Sequence, residues 1–277
     1  MKVCKHPQLN KNPASTLPGV QPLGTLAFFL FVSSFPAQAA SLQEIATPKT
    51  FADWCLNKAN LSVETKRTID ALLQQAKTTD CDQANKLLSR STSLDLWQEK
   101  ISDLRPLSTL TNLTNLDLNN NKITDLRPLS TLTNLTSLLL SDNQITDLRP
   151  LSTLTNLTYL HLANNQIADI RPLSTLTNLT WLFLNKNQIA DIKPLSTLTN
   201  LTYLNLDNNQ IADIKPLSTL TNLTWLFLNK NQIADIKPLS TLTKLDLLSL
   251  GDNPSLTDKT CPVKPASTCK FVPEKDQ

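Results

Sequence analysis

One 22-residue phrase governs residues 91–250. It occurs seven times and begins an eighth, and Leu113, Leu135, Leu157, Leu179, Leu201, Leu223 and Leu245 hold a single register throughout. A fixed period of this length excludes an ordinary globular core. One such unit is too small to bury its own apolar side chains, so the units must stack into a solenoid in which each touches only its neighbours. In the copy at 113–134, LTNLDLNNNKITDLRPLSTLTN, the apolar positions are Leu113, Leu116, Leu118, Ile123, Leu126, Leu129 and Leu132. Neither a helical nor a strand period fits all seven. Alternation over 115–119 predicts a short half-buried strand with Leu116 and Leu118 on one face. Pro128 presets a first helical position, but the proline and the threonines leave room only for a turn or a 3₁₀ piece.

Asn121 sits at the bend after that strand, and Asn143, Asn165, Asn187, Asn209, Asn231 and Asn253 line up with it repeat on repeat. A buried asparagine amide can bond backbone groups of its own turn and the adjacent one, satisfying polar groups that stacking removes from water. The resulting pattern, L-x-x-L-x-L-x-x-N-x-I/L, resembles the leucine-rich repeat family. The 22-residue length and the NQIxDIxPLSxLTN ending resemble most its short-repeat, internalin-type bacterial branch. The resemblance implies an α/β fold: a right-handed curved solenoid, an arc with parallel strands on its concave face and 3₁₀ turns on its convex face.

The rest of the chain delivers, caps or closes that stack. Residues 1–39 read as a secretory signal, with early lysines, an apolar run at 24–35, and Ala37 and Ala39 in a small-x-small cleavage pattern. That run is too short to span a bilayer comfortably, so the expectation is a protein secreted, periplasmic or at the cell surface, with no stable membrane insertion after cleavage. Residues 40–90 read as a helical N-terminal cap. Helices are predicted over 50–58, over 62–77 with Ser62 as N-cap, and over 82–89; the second presents Val63, Ile69, Leu72, Leu73 and Ala76 as its apolar stripe. Trp54 is expected to pack against the first repeat. Residues 251–277 form a proline-bearing C-terminal cap. These caps together are similar to those of exported repeat proteins of cyanobacteria. Beyond the leader the cysteines are Cys55, Cys81, Cys261 and Cys269, two before the solenoid and two after it. Three pairings exist, but a solenoid holds its ends apart, which predicts the bridges Cys55–Cys81 and Cys261–Cys269 and excludes a shared zinc site.

Charge excludes further classes of function. Lys+Arg number 26 against 23 Asp+Glu, and three lysines fall in the acid-free leader, so the remainder balances at 23 against 23. That gives no electrostatic case for nucleic acid or an anionic membrane. Arg105, Arg127, Arg149, Arg171, Lys193, Lys215 and Lys237 form a basic row, but each stands two residues after an aspartate and reads as scaffold. The Asn-Leu-Thr triplets match a glycosylation signal, yet belong to the repeat consensus. Calcium loops of the tight kind want glycine, and Gly251 is the one glycine outside the leader. Outside the leader, His161 is likewise the one histidine, on an open strand face with no nucleophile motif beside it. No catalytic residue, metal site or cofactor is expected.

Comparing repeats within the chain separates scaffold from variable positions. The convex half barely changes, whereas the positions flanking the two strand leucines do, and every aromatic in the repeats lies there. With strands stacked about 4.8 Å apart, Tyr159, Trp181, Tyr203 and Trp225 should form a continuous exposed file beside Phe183 and Phe227. Trp97, His161, Lys186, Asn205, Asp207 and Lys230 complete the candidate partner-binding set. Exposed tryptophan and tyrosine anchor protein interfaces, and aromatic platforms also suit sugar rings. The expectation is a monomeric, non-catalytic protein that binds a protein or glycan through its concave face. The alternatives are a structural or adhesive scaffold, or an enzyme inhibitor. Aromatic residues also fit a pleated surface, and an apparent duplication of a 44-residue unit could have copied the file without selection for binding.

Overall fold

The computed structural model describes residues 48–272, all within the compact unit Ala46–Gln277. The expected signal at 1–39, the first residues of the N-terminal cap and the last of the C-terminal cap lie outside the described residues. Eight three-residue strands recur at the repeat period: β1 Ser93–Asp95, β2 Asn115–Asp117, β3 Ser137–Leu139, β4 Tyr159–His161, β5 Trp181–Phe183, β6 Tyr203–Asn205, β7 Trp225–Phe227 and β8 Leu247–Ser249. With β9, Cys269–Lys270, they make one curved, unclosed parallel sheet in strict chain order. The register never slips, so Leu94, Leu116, Leu138 and their successors stand side by side. Between strands run 3₁₀ turns such as Arg127–Thr131, with the proline at the first or second position, as its fixed φ favours.

Each repeat from 113 to 244 delivers seven apolar side chains to one continuous core, and the first repeat, with Ser91 at the leading position, delivers six; in the copy at 113–134 all seven are buried to 1% exposure or less. The asparagine ladder forms as the sequence predicts. Asn121 Nδ2 donates to the carbonyls of Leu96, Leu118 and Asn119, while its Oδ1 accepts from Ile101 N at 2.8 Å. One side chain thus ties two repeats and leaves no amide atom unsatisfied in a dry interior. The convex half carries two further ladders that composition alone does not reveal. Thr131 Oγ1 donates to Ser108 O, and Asn134 Nδ2 donates to Thr111 O, each reaching back one repeat. This engages the amide of the Asn-Leu-Thr triplet in the scaffold, and Asn156, Asn178, Asn200 and Asn222 repeat it. The aspartate row also serves the turns. Asp125 Oδ1 accepts from Arg127 N, and the same carboxylate takes the Arg127 guanidinium in a fork.

The N-terminal cap comprises α1 Phe51–Leu56, α2 Val63–Ala76 and α3 Cys81–Leu88, with Ser62 as the N-cap of α2. The Cys55–Cys81 bridge joins α1 to α3 across a Cα separation of 5.6 Å. One sequence expectation fails: Val63 is not part of the buried stripe but 66% exposed, and Thr65 and Thr68 are buried in addition to Ile69 and Leu72. The reason is polar. Thr65 Oγ1 donates to the Asp103 carboxylate and Thr68 Oγ1 to its carbonyl, both at 2.6 Å, so α2 turns its hydroxyls toward the first repeat. The Arg105 guanidinium donates to Asp103 and Thr65 and lies 5.7 Å from the centroid of the buried Trp54 ring. At the other end Cys261–Cys269 closes the C-terminal cap, and β9 covers the β8 edge that would otherwise invite pairing. Among the described residues no helix is long and apolar enough to cross a membrane.

Candidate binding face

Because successive strand residues point to opposite faces, the residues on either side of each buried strand leucine share the concave face. The first column runs Ser93, Asn115, Ser137, Tyr159, Trp181, Tyr203, Trp225, Leu247, and the second runs Asp95, Asp117, Leu139, His161, Phe183, Asn205, Phe227, Ser249. The aromatic rings therefore concentrate on β4–β7 and interlock. Trp181 and Tyr203 stack with centroids 4.9 Å apart and planes within 2°. Tyr159 stacks on Trp181 at 6.3 Å. Trp225 meets Trp181 and Tyr203 edge-on. Phe183 sits 4.6 Å from Tyr203, and His161 packs edge-on to Phe183 at 4.8 Å.

This mutual packing modifies the expected file. Trp181 and Trp225 remain 37% and 42% exposed, while Tyr159, Tyr203, Phe183 and Phe227 are half-buried against their neighbours. Trp97 stands apart from the rings. It is 53% exposed and belongs to a third column, at the end of the strand segment, with Asn119, Ser141, Ala163, Asn185, Asp207, Asn229 and Gly251. That column is largely committed to holding the bend. Asp207 accepts from Asn229 N and Nδ2, and Asn205 Oδ1 accepts from Asp207 N. Asn185 Oδ1 is buried without a partner.

Titratable groups on this face feel their burial. Burial raises the Asp207 carboxyl above its usual range despite the Asn229 bonds. Burial likewise raises Asp117, aided by the charge of Asp95 on the neighbouring strand. His161 is lowered by burial, with Asp142 and Asp117 pulling the other way. Among the described residues no group of His, Cys, Asp and Glu could hold a metal ion.

A feature that sequence reasoning missed is a left-handed backbone position in every repeat. Gln98, Asn120, Asp142, Asn164, Lys186, Asn208, Lys230 and Asp252 all have φ between 53° and 60°. Asparagine and aspartate tolerate that conformation better than other side chains, so the preference at this column was a readable signal. Lys186 and Lys230, expected as contact residues, depart from it. Both are exposed beside the aromatic cluster.

A family model described as leucine-rich repeats (2 copies) matches residues 92–131, 133–175 and 177–219. The structure is similar to that of an internalin (inlF) of Listeria monocytogenes, with 35% identity and a TM-score of 0.60 over 69% of this chain and 63% of that one. It is also similar to internalin C2 (inlC2) of the same organism, with 35% identity and a TM-score of 0.67 over 74% of this chain and 90% of that one. A leucine-rich repeat protein of Leptospira interrogans matches at 28% identity and a TM-score of 0.52, covering 65% of this chain and 45% of its own. No curated protein matches the chain significantly.

Proposed function

The chain belongs to the internalin-like leucine-rich repeat family, and on that footing we propose that it is an exported, non-catalytic protein that captures a protein partner on its concave face. The observation that carries this reading is the interlocked aromatic cluster of β4–β7. Its rings gather most of the apolar area of the strand face in four adjacent strands, and Trp181 and Trp225 keep more than a third of their area in water. Large amphipathic rings held rigid by their neighbours lose little freedom on binding, which is why tryptophan and tyrosine dominate interface hot spots. The ring geometry favours a protein over a glycan. A sugar needs an open aromatic face, whereas Trp181 lies between Tyr159 and Tyr203, with stacked rings on both sides. What Trp181 and its stacked neighbours leave to water is edges and rims, suited to aliphatic and aromatic side chains. Tyr159, His161, Trp181, Phe183, Tyr203, Trp225 and Phe227 form the contact surface, with Lys186 and Lys230 at its margin. Trp97 lies toward the N-terminal end, and Asn205 and Asp207 hold the bend beneath.

The test is capture from the host's extracellular and envelope extract, using residues 40–277 as bait beside Trp181→Ala/Trp225→Ala, with both baits melting alike. A partner held by wild type and lost by the double variant is the expected result. Equal capture by both baits would refute the reading and leave a structural scaffold.

A further inference from the structure

The concave face is divided. All of its interlocked rings lie on β4–β7, whereas β1–β3 present Ser93, Asp95, Asn115, Asp117, Ser137 and Leu139, with no lysine or arginine among them. Asp95 and Asp117 are direct register partners on adjacent strands, so their Cα atoms stand about 5 Å apart. Each spends one oxygen on its own bend, Asp95 on Trp97 N and Asp117 on Asn119 N. Neither forms an ion pair among the described residues. The convex aspartates behave differently: Asp125, Asp147 and Asp169 are each neutralised by the arginine two residues on. Two like charges side by side on a half-buried sheet repel, and nothing in the repeat scaffold requires them, since the equivalent positions hold Leu139, His161, Phe183 and Asn205. Trp97, half in water, stands two residues after Asp95 and donates its backbone N–H to that carboxylate, which places an indole, a ring that attracts cations, beside the acidic pair. The nearest lysines along the chain, Lys100 and Lys122, follow the bend rather than the strand.

We propose that the partner seated on this face is a protein segment whose apolar side chains cover the rings of β4–β7 and whose lysine or arginine side chains reach Asp95, Asp117 and Trp97 at the N-terminal end. The inference rests on the concave-face reading and adds the partner's charge and its direction of docking. Complementary charge of this kind chooses among partners and speeds encounter more than it adds affinity. Geometry sets the spacing. From the middle of the rings to the acidic pair is about four strand separations, or roughly 19 Å. That distance equals about six residues of extended chain or about thirteen of helix.

The probes are synthetic extended peptides carrying a Leu-Phe anchor six residues from an Arg-Arg pair, made in both chain directions, and the same peptides with Glu-Glu. Binding to residues 40–277 is followed by titration calorimetry at low and high salt. The better-oriented arginine peptide is expected to bind about tenfold more tightly than its glutamate twin at low salt, with the gap closing at high salt. Asp95→Asn/Asp117→Asn should erase the gap while melting like wild type, and Trp181→Ala/Trp225→Ala should weaken both peptides together. Equal binding of the two peptides by wild type overturns the inference, as does an arginine preference that survives in Asp95→Asn/Asp117→Asn. Undiminished binding by the tryptophan variant instead overturns the concave-face reading beneath it. Failure of wild type to bind any of the peptides overturns both.

Discussion

The convex and concave halves of one repeat are built from the same 22 residues, yet they spend their side chains differently. On the convex half each repeat ties polar side chains to the repeat before it or to its own turn: Thr131 to Ser108, Asn134 to Thr111, Arg127 to Asp125. On the concave half the side chains beside the strand leucines bind one another through rings, or carry charges with no ion-pair partner. The strand itself is held by backbone bonds and by Asn121 from below, so its exposed positions accept different side chains, aromatic in some repeats and bend-bracing Asp95, Asp117 or Asn205 in others. A solenoid thus separates its load from its freedom within each repeat, and the face that varies is the one the scaffold does not use.

The sharpest way to break this contrast is at the ladder. Replacing Asn209 with alanine orphans the Ile189 N–H and takes one of two amide donors from each of the Leu184 and Leu206 carbonyls, which keep Asn187 and Asn231, so a loss of about 2–4 kcal/mol is expected in chemical denaturation, given about 1–3 kcal/mol for a buried unsatisfied group and about 0.5 kcal/mol or more for each bond lost. Asn200→Ala, whose amide makes one exposed bond, should cost less than about 1 kcal/mol. Comparable losses at the two sites would abolish the distinction between buried and surface ladders.

Trp181→Ala is expected to cost about 1–2 kcal/mol of stability, since its ring contacts are worth about 0.5–1.5 kcal/mol each and the ring is partly in water. A loss as large as that at Asn209 would mean the rings serve as scaffold after all.

Acid should act more on the cap junction than on the stack, where Asp125, Asp147 and Asp169 are also held below their usual value by their arginines but in exposed pairs worth little. Burial by itself would raise the Asp103 carboxyl, but hydrogen bonds from Arg105 and Thr65 outweigh it and hold the group below its usual value. A depressed carboxyl stabilises the fold above its unfolded pKa, about 3.9, and that contribution is lost as pH falls through the lower folded value. Denaturation between pH 5 and pH 2 should therefore show a decline that Asp103→Asn flattens, whereas an unchanged pH profile in that variant would assign the decline to other carboxylates.

The smallest effect is a gain. Lys186→Asn and Lys230→Asn place a residue suited to the left-handed conformation where lysine now stands, and each should raise the denaturation midpoint by an amount worth about 0.5–1 kcal/mol. A loss would show that the lysine stems contribute packing that outweighs the backbone strain.

Much of the fold was legible because repetition supplies its own controls. Seven aligned copies mark Leu116, Leu118 and Asn121 as fixed, and one rule of strand geometry then sends Tyr159 and Trp181 to a common face. What was not legible involved contacts between unlike segments. The docking of Thr65 and Thr68 onto Asp103 has no period to betray it, so an exposed Val63 looked like core. The pairing of β9 with β8 rests on two residues, too few for any alternation to show. At the candidate site the file of rings was readable, but not that the rings would cover one another's faces, since that depends on rotamers that spacing does not fix.

Repeats 179–200 and 223–244 differ only at Asn200 and Lys244, and 157–178 differs from 201–222 only at His161, Ala163 and Arg171 against Asn205, Asp207 and Lys215. Since each unit meets only its neighbours through interchangeable contacts, a gene that gains or loses one such pair alters no interface type. Each pair inserted lengthens the reading face by two strand widths, about 10 Å, so slippage during copying would act as a ruler that resizes the surface in whole steps, while the caps at either end need not change at all.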